Sequence, residues 1–277
     1  MNTRPCLPLL AILLTAVVPL RAQFNLGELK KNLAPGLPSI PGGDKTTKAI
    51  EAGAKVGKAI AGIGPQEELL IGESVALEIL GKYGGLVRDE AIAKRVNLVG
   101  RALAYYSTRP ALNWKFGVLD SPSVNGFSAP GGIVFITRGL YDLVGSSDDA
   151  LAAVLAHEVA HITGRHALKI IETAQGWTTA ASFAVDRSGD LRAANAYAQQ
   201  LDFGVDKIVK VILQQGYDAP KEYDADKEAR ALALTVGYAP GALRKVLLQL
   251  QQRTGPSTAI FSTHPPLRDR IGKLPPE

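Results

Sequence analysis

The sequence has few thiols and no long apolar runs. It holds one cysteine, Cys6, in 277 residues. That cysteine lies in the N-terminal apolar stretch, so neither a disulfide framework nor a thiolate-rich structural zinc site is available to the body of the chain. Cys6 also stands at the start of that stretch, whereas a lipoprotein cysteine would follow it at the cleavage point, so acylation is not expected. No segment approaches the roughly 20 consecutive apolar residues that a membrane-spanning helix needs. Charge of one sign is scarce too: 31 basic against 26 acidic residues leave a formal +5, too mild a surplus to imply a nucleic-acid partner. Histidine occurs four times, so the placement of each is informative.

What is present begins with export. Residues 1–22 combine a basic start at Arg4, an apolar run from Cys6 to Leu20 and Leu20-Arg21-Ala22 as a small-residue cleavage site, the pattern of a secretory signal peptide. Its removal takes away Arg4, Arg21 and Cys6 and leaves a formal charge of +3. The expected location is periplasmic, or secreted. Residues 23–65 are rich in Gly and Pro, as in Pro35-Gly36-Leu37-Pro38 and Pro41-Gly42-Gly43, with a small-residue stretch from Thr46 to Ala61 that can be helical. Such a segment is a linker or loosely docked arm, or a pro-segment that covers a site, and both readings stay open. In a chain that is 46% hydrophobic and 21% charged, the remaining residues 66–277 suit one α+β, predominantly helical domain.

The chemistry concentrates at His157-Glu158-Val159-Ala160-His161. Histidines at i and i+4 share a helix face one turn apart and can reach a single ion, and the glutamate beside the first can act as general base on a water. The flanks predict the helix this needs, over 148–163. Ser146 to Asp149 resembles a capping box with acidic residues in the first turn, and Gly164 ends the run. Leu151, Leu155, Val159 and Ile162 are expected to face the core, with small alanines around the metal. Two surface histidines that happen to lie four apart are the bland alternative; with no thiolates at hand, a catalytic zinc site is the better reading.

Helical spacing predicts helices from Gln66 to Leu80, Arg88 to Tyr106, Ala167 to Trp177 and Leu191 to Gln215, with a break at Asp186 to Asp190. Trp114 to Leu119 and Ile133 to Thr137 read as strands of a small sheet edging the cleft. The segment Val124 to Gly132 between them is a long loop or a cleft wall. Farther on, Pro220 suits a helix start, and Glu222 and Asp226 fall one turn apart among Ala225, Ala229 and Ala233. An acidic helix start is favoured by the helix dipole alone. Beside the histidine pair, Glu222 is instead the candidate third zinc ligand, and Asp226 the carboxylate that holds a ligand histidine in its tautomer.

Taken together these motifs resemble the metallopeptidases typified by HtpX, BepA, LoiP and the mitochondrial Oma-type proteases, a branch of the gluzincins. The resemblance spans most of residues 66–274. It is carried by Asn125 to Gly132, Thr137-Arg138-Gly139-Leu140, the His157 helix with Gly164-Arg165-His166, Glu222 to Asp226, and Thr263-His264-Pro265-Pro266. It implies a zincin-like metallopeptidase domain with one zinc ion at His157, His161 and Glu222, Glu158 as base, and unfolded or misfolded proteins as substrates. Peripheral association with the membrane or the envelope assembly machinery fits the same resemblance. His264 then becomes a candidate to stabilise the oxyanion or to act as a switch at the metal, against the alternative of a capping loop ahead of two prolines; His166 is expected to be structural. Substrate is expected along Ile133, Val134 and Phe135 as an edge strand, with Asn125 nearby, through main-chain pairing. A zinc-retaining chaperone with little proteolytic activity is the alternative function, and the intact Glu158 argues against it.

Overall fold

The computed structural model describes residues 63–173, 191–254 and 267–275. The expected leader, nearly all of the linker, the break at residues 186–190 and His264 lie outside them. The described elements begin with helices α1 (Pro65–Lys82) and α2 (Glu90–Tyr106), followed by strands β1 (Lys115–Leu119), β2 (Gly126–Ala129) and β3 (Ile133–Thr137). Helices α3 (Arg138–Val144), α4 (Asp148–Thr163) and α5 (His166–Thr173) come next. Then follow α6 (Leu191–Lys210) with a π-helical turn at Val211–Gln215, α7 (Ala219–Val236), α8 (Ala242–Thr254) and α9 (Leu267–Lys273). The α+β, mainly helical expectation holds. Among the described residues no helix is long and apolar enough to cross a membrane.

The sheet corrects one expectation. Its order is β1-β3-β2: β3 pairs in parallel with β1 and antiparallel with β2. Ile133, Val134 and Phe135 therefore belong to the middle strand, hydrogen-bonded on both sides, and offer no edge to a peptide. Their side chains are covered on both faces as well. All five residues of β3 are buried, with Val134 and Ile136 entering a core formed with α2 and α4, and Ile133 and Phe135 entering one formed with α1 and α5. A run apolar on both faces belongs to a sheet covered on both sides; the central place of β3 comes from its pairing along both edges. The segment read as loop or cleft wall contains β2, which is an edge strand, as β1 is.

Helix α4 is the centre of the domain, packed on α7, α2, α8 and β2. Its N-cap is Ser147, one residue later than expected, whose hydroxyl accepts from the Ala150 amide, with Asp148 and Asp149 in the first turn. The helix is buried on every side from Leu151 to Ile162, not only along Leu151, Leu155, Val159 and Ile162. Each of those four side chains contributes about 1.5–3 kcal/mol by burial. Helix α7 starts at N-cap Asp218, whose side chain accepts from the Lys221 amide, and ends at Gly237 in the left-handed conformation. Its small, buried face of Ala225, Ala229 and Ala233 allows close approach to α4 and carries Glu222 and Asp226 inward.

Candidate metal centre

The two helices bring three ligand atoms together. His157 Nε2 and His161 Nε2 stand 3.1 Å apart. Glu222 Oε2 lies 3.5 Å from the first and Glu222 Oε1 3.5 Å from the second. All three residues are buried, and among the described residues they form the one group of His, Cys, Asp or Glu able to hold a metal. A metal with tetrahedral bonds of roughly 2.0–2.1 Å sets its ligand atoms roughly 3.3–3.5 Å apart. Two imidazoles and one carboxylate at the observed spacing fit zinc, and three protein ligands are the number a catalytic zinc site uses, with water or substrate as the fourth.

Around this triangle each side chain has a second contact. His157 Nδ1 lies 3.0 Å from Asp226 Oδ1, so a proton on Nδ1 is held there and Nε2 faces the centre. Asp226 is itself clamped by Arg270, whose Nε donates to Oδ2 at 2.8 Å and whose Nη2 donates to Oδ1 at 2.6 Å. Arg270 Nη1 reaches to 3.4 Å from Glu222 Oε2. Burial works against charge on Asp226, but the hydrogen bonds from Arg270 and His157 prevail and hold its carboxyl down at about 2. Burial and the Arg270 charge likewise oppose a proton on His157; the bonds to Asp226 and Glu222 outweigh them and raise it to about 9 without metal. A divalent cation would take the place of that proton on Nε2.

On the other side, His161 Nδ1 is 3.0 Å from His166 Nδ1, and the Tyr217 ring stacks on the His161 imidazole with centroids 4.3 Å apart and planes 16° from parallel. Burial, and then the Lys169 charge, lower His166 to about 4. Burial, and then the Glu158 charge, raise the Tyr217 phenol.

Glu158 is buried and lies against β2. A Cβ at Gly126 would sit 2.5 Å from Glu158 Oε1, so only glycine leaves the carboxylate its place beneath the edge strand. Asn125 sits just before this strand but is turned to its support: its Oδ1 accepts from the Gly126 amide at 3.0 Å, and its own amide donates to Thr137 Oγ1 at 3.0 Å. The structure thus gathers His157, Glu158, His161, Glu222 and Asp226, and leaves Ile133, Val134 and Phe135 in the sheet interior. Sequence reasoning missed Arg270 and Tyr217. Nothing in the pattern of a short charged helix separates Arg270 from Arg268, and an aromatic ahead of α7 reads as ordinary core.

The sequence pattern of peptidase family M48 matches residues 90–276. The mitochondrial metalloendopeptidase OMA1 of Schizosaccharomyces pombe is 28% identical over 205 residues, 71% of this chain and 57% of that protein. The beta-barrel assembly-enhancing protease of Escherichia coli K12 is 24% identical over 264 residues, 92% of this chain and 50% of that protein. A protease HtpX homolog of Thermodesulfovibrio yellowstonii is 27% identical over 232 residues, 71% of this chain and 79% of that protein. The chain thus spans about half the length of the first two.

Proposed function

The chain belongs to peptidase family M48, a family of zinc metallopeptidases, and on that premise we propose that it is an exported endopeptidase that cleaves unfolded or misassembled envelope proteins. His157, His161 and Glu222 would hold the zinc. When bound, zinc supplies the Lewis acidity that activates a water and polarises a carbonyl. Glu158 takes a proton from the attacking water and passes it to the leaving amine. Asp226, clamped by Arg270, keeps His157 in the tautomer that presents Nε2. The observation that carries this reading is the buried triangle of ligand atoms with Glu158 on the same helix, beneath β2.

Among the described residues no strand pairs with the outer side of β2, whose four residues are buried; an extended substrate segment would add along that edge and lie across Glu158. Main-chain pairing ignores side chains, which favours unfolded proteins of varied sequence. Export rests on residues 1–22, and a role in envelope assembly is supported by similarity to a protease that enhances beta-barrel assembly.

The test is Glu158→Gln. It is expected to keep zinc and fold but to lose casein cleavage by at least about a hundredfold; near-normal turnover at equal zinc content excludes Glu158 as the base. N-terminal sequencing of the exported protein is expected to begin after Ala22, and a chain that retains Met1 refutes export through this leader.

A further inference from the structure

The two histidines of the metal centre are held by different chemistry. His157 leans on a carboxylate, Asp226, backed by a guanidinium. His161 leans on another imidazole, with 3.0 Å between its Nδ1 and that of His166. Across such a contact one nitrogen has to donate and the other accept. A neutral His161 that presents a bare Nε2 to a metal carries its proton on Nδ1. It is then the donor, and His166 accepts with its own proton on Nε2.

We propose that His166 is a positioning residue for the metal centre, accepting the Nδ1–H of His161 and so fixing that ligand's tautomer and ring plane. The proposal rests on the zinc metallopeptidase reading and adds a member to its site. The local backbone is shaped for this contact. A Cβ on Gly164 would stand 2.6 Å from His166 Nε2, so the glycine that ends α4 is what lets the ring fold back. Arg165, between them, has φ 54, and is the one non-glycine residue with positive φ among those described. Its guanidinium is tied down by Glu68 Oε2 at 2.9 Å, the Ile63 carbonyl at 2.9 Å and Glu172 Oε1 at 3.0 Å. A tight turn in a conformation that costs a side-chain-bearing residue, pinned by a buried glutamate, delivers His166 to His161. Tyr217 stacks on the His161 ring, so the imidazole is held by its face as well as by Nδ1.

A neutral acceptor also suits the electrostatics. Glu158, Glu222 and Asp226 are already buried around the site with Arg270 beside them, and a carboxylate behind His161 would add a further charge to be taken out of water. An imidazole completes the hydrogen bond without adding charge.

The test uses the full chain, with zinc affinity measured by competition with a chromophoric chelator and melting of the metal-free protein as the control for folding. His166→Phe keeps a ring and loses the acceptor; His166→Asn restores an acceptor oxygen near the position of Nδ1. The phenylalanine variant is expected to bind zinc about 10–100-fold more weakly, as for other partners of metal-bound histidines, and the asparagine variant to recover most of that loss. Wild-type affinity in His166→Phe, or equal weakness in both variants, overturns the proposal. Histidine-labelled ¹⁵N spectra of the zinc-loaded wild type give an answer independent of any variant: a proton on Nε2 of His166 is expected, and one on its Nδ1 overturns the assignment. A wild-type chain that binds no zinc refutes the metallopeptidase reading itself, a result distinct from a loss confined to His166→Phe.

Discussion

At the scale of single residues, the site depends on close contacts that tolerate little displacement. The missing Cβ of Gly126 makes room for the Glu158 carboxylate, with 2.5 Å between Oε1 and where that carbon would be. Gly126→Ala is therefore expected to push the base aside and lower kcat about a hundredfold, the scale of an ångström-sized misplacement, while zinc content by elemental analysis stays at the wild-type value. Arg270 acts through charge. It is buried against two acidic side chains that are themselves buried, so Arg270→Met leaves them without their cation. Breaking a buried pair from one side costs about 3 kcal/mol or more. Urea unfolding of the metal-free protein is expected to show that loss, and an unchanged midpoint would mean that the carboxylates find compensation elsewhere.

At the scale of elements, the sheet order decides which strand can meet a substrate. In the β2–β3 ladder the Thr137 amide donates to the Asn125 carbonyl. By alternation, Phe127 and Ala129 turn their main-chain groups toward β3, and Gly126 and Ser128 turn theirs outward. Ser128→Pro removes an outward amide, and is expected to raise KM for unfolded substrate while zinc stays bound. Phe135→Pro strikes the middle strand, and is expected to prevent folding because the sheet pairs on both sides there. Measuring soluble yield and KM for the two variants separates a substrate edge from a structural strand. If Ser128→Pro cleaves with unchanged KM, the peptide does not add to β2.

At the scale of the whole molecule, a metal at the candidate centre would join two helices distant in sequence, since His157 and His161 lie on α4 and Glu222 on α7. A ligand bound only by the folded state stabilises it by about 2.7 kcal/mol at a hundred times its Kd. For a domain of this size that corresponds to about 5–10 °C in Tm. Chelation is expected to lower Tm by that much and zinc to restore it; a Tm indifferent to chelator would mean that the three side chains hold no metal. What the amino-acid sequence determined by itself was local in kind. The i, i+4 histidines, the capping pattern at Ser146 to Asp149, the Pro220 start and the alanine face of α7 are short-range patterns, and their helices start within a residue or so of where those patterns put them. Glu222 as the candidate third ligand was legible too, because a glutamate and an aspartate one turn apart among alanines stand in the same chain as the histidine pair. What tertiary structure alone decided was adjacency. Strand order depends on which strands the two edges of β3 pair with, and a run apolar on both faces can be named a strand without revealing that it is central. Arg270 reaches the site from a helix far along the chain, Tyr217 from the turn ahead of α7, and His166 reaches His161 only because Arg165 adopts a conformation that its side chain disfavours. Those placements arise from packing across the fold, which acts between residues that have no fixed spacing in sequence.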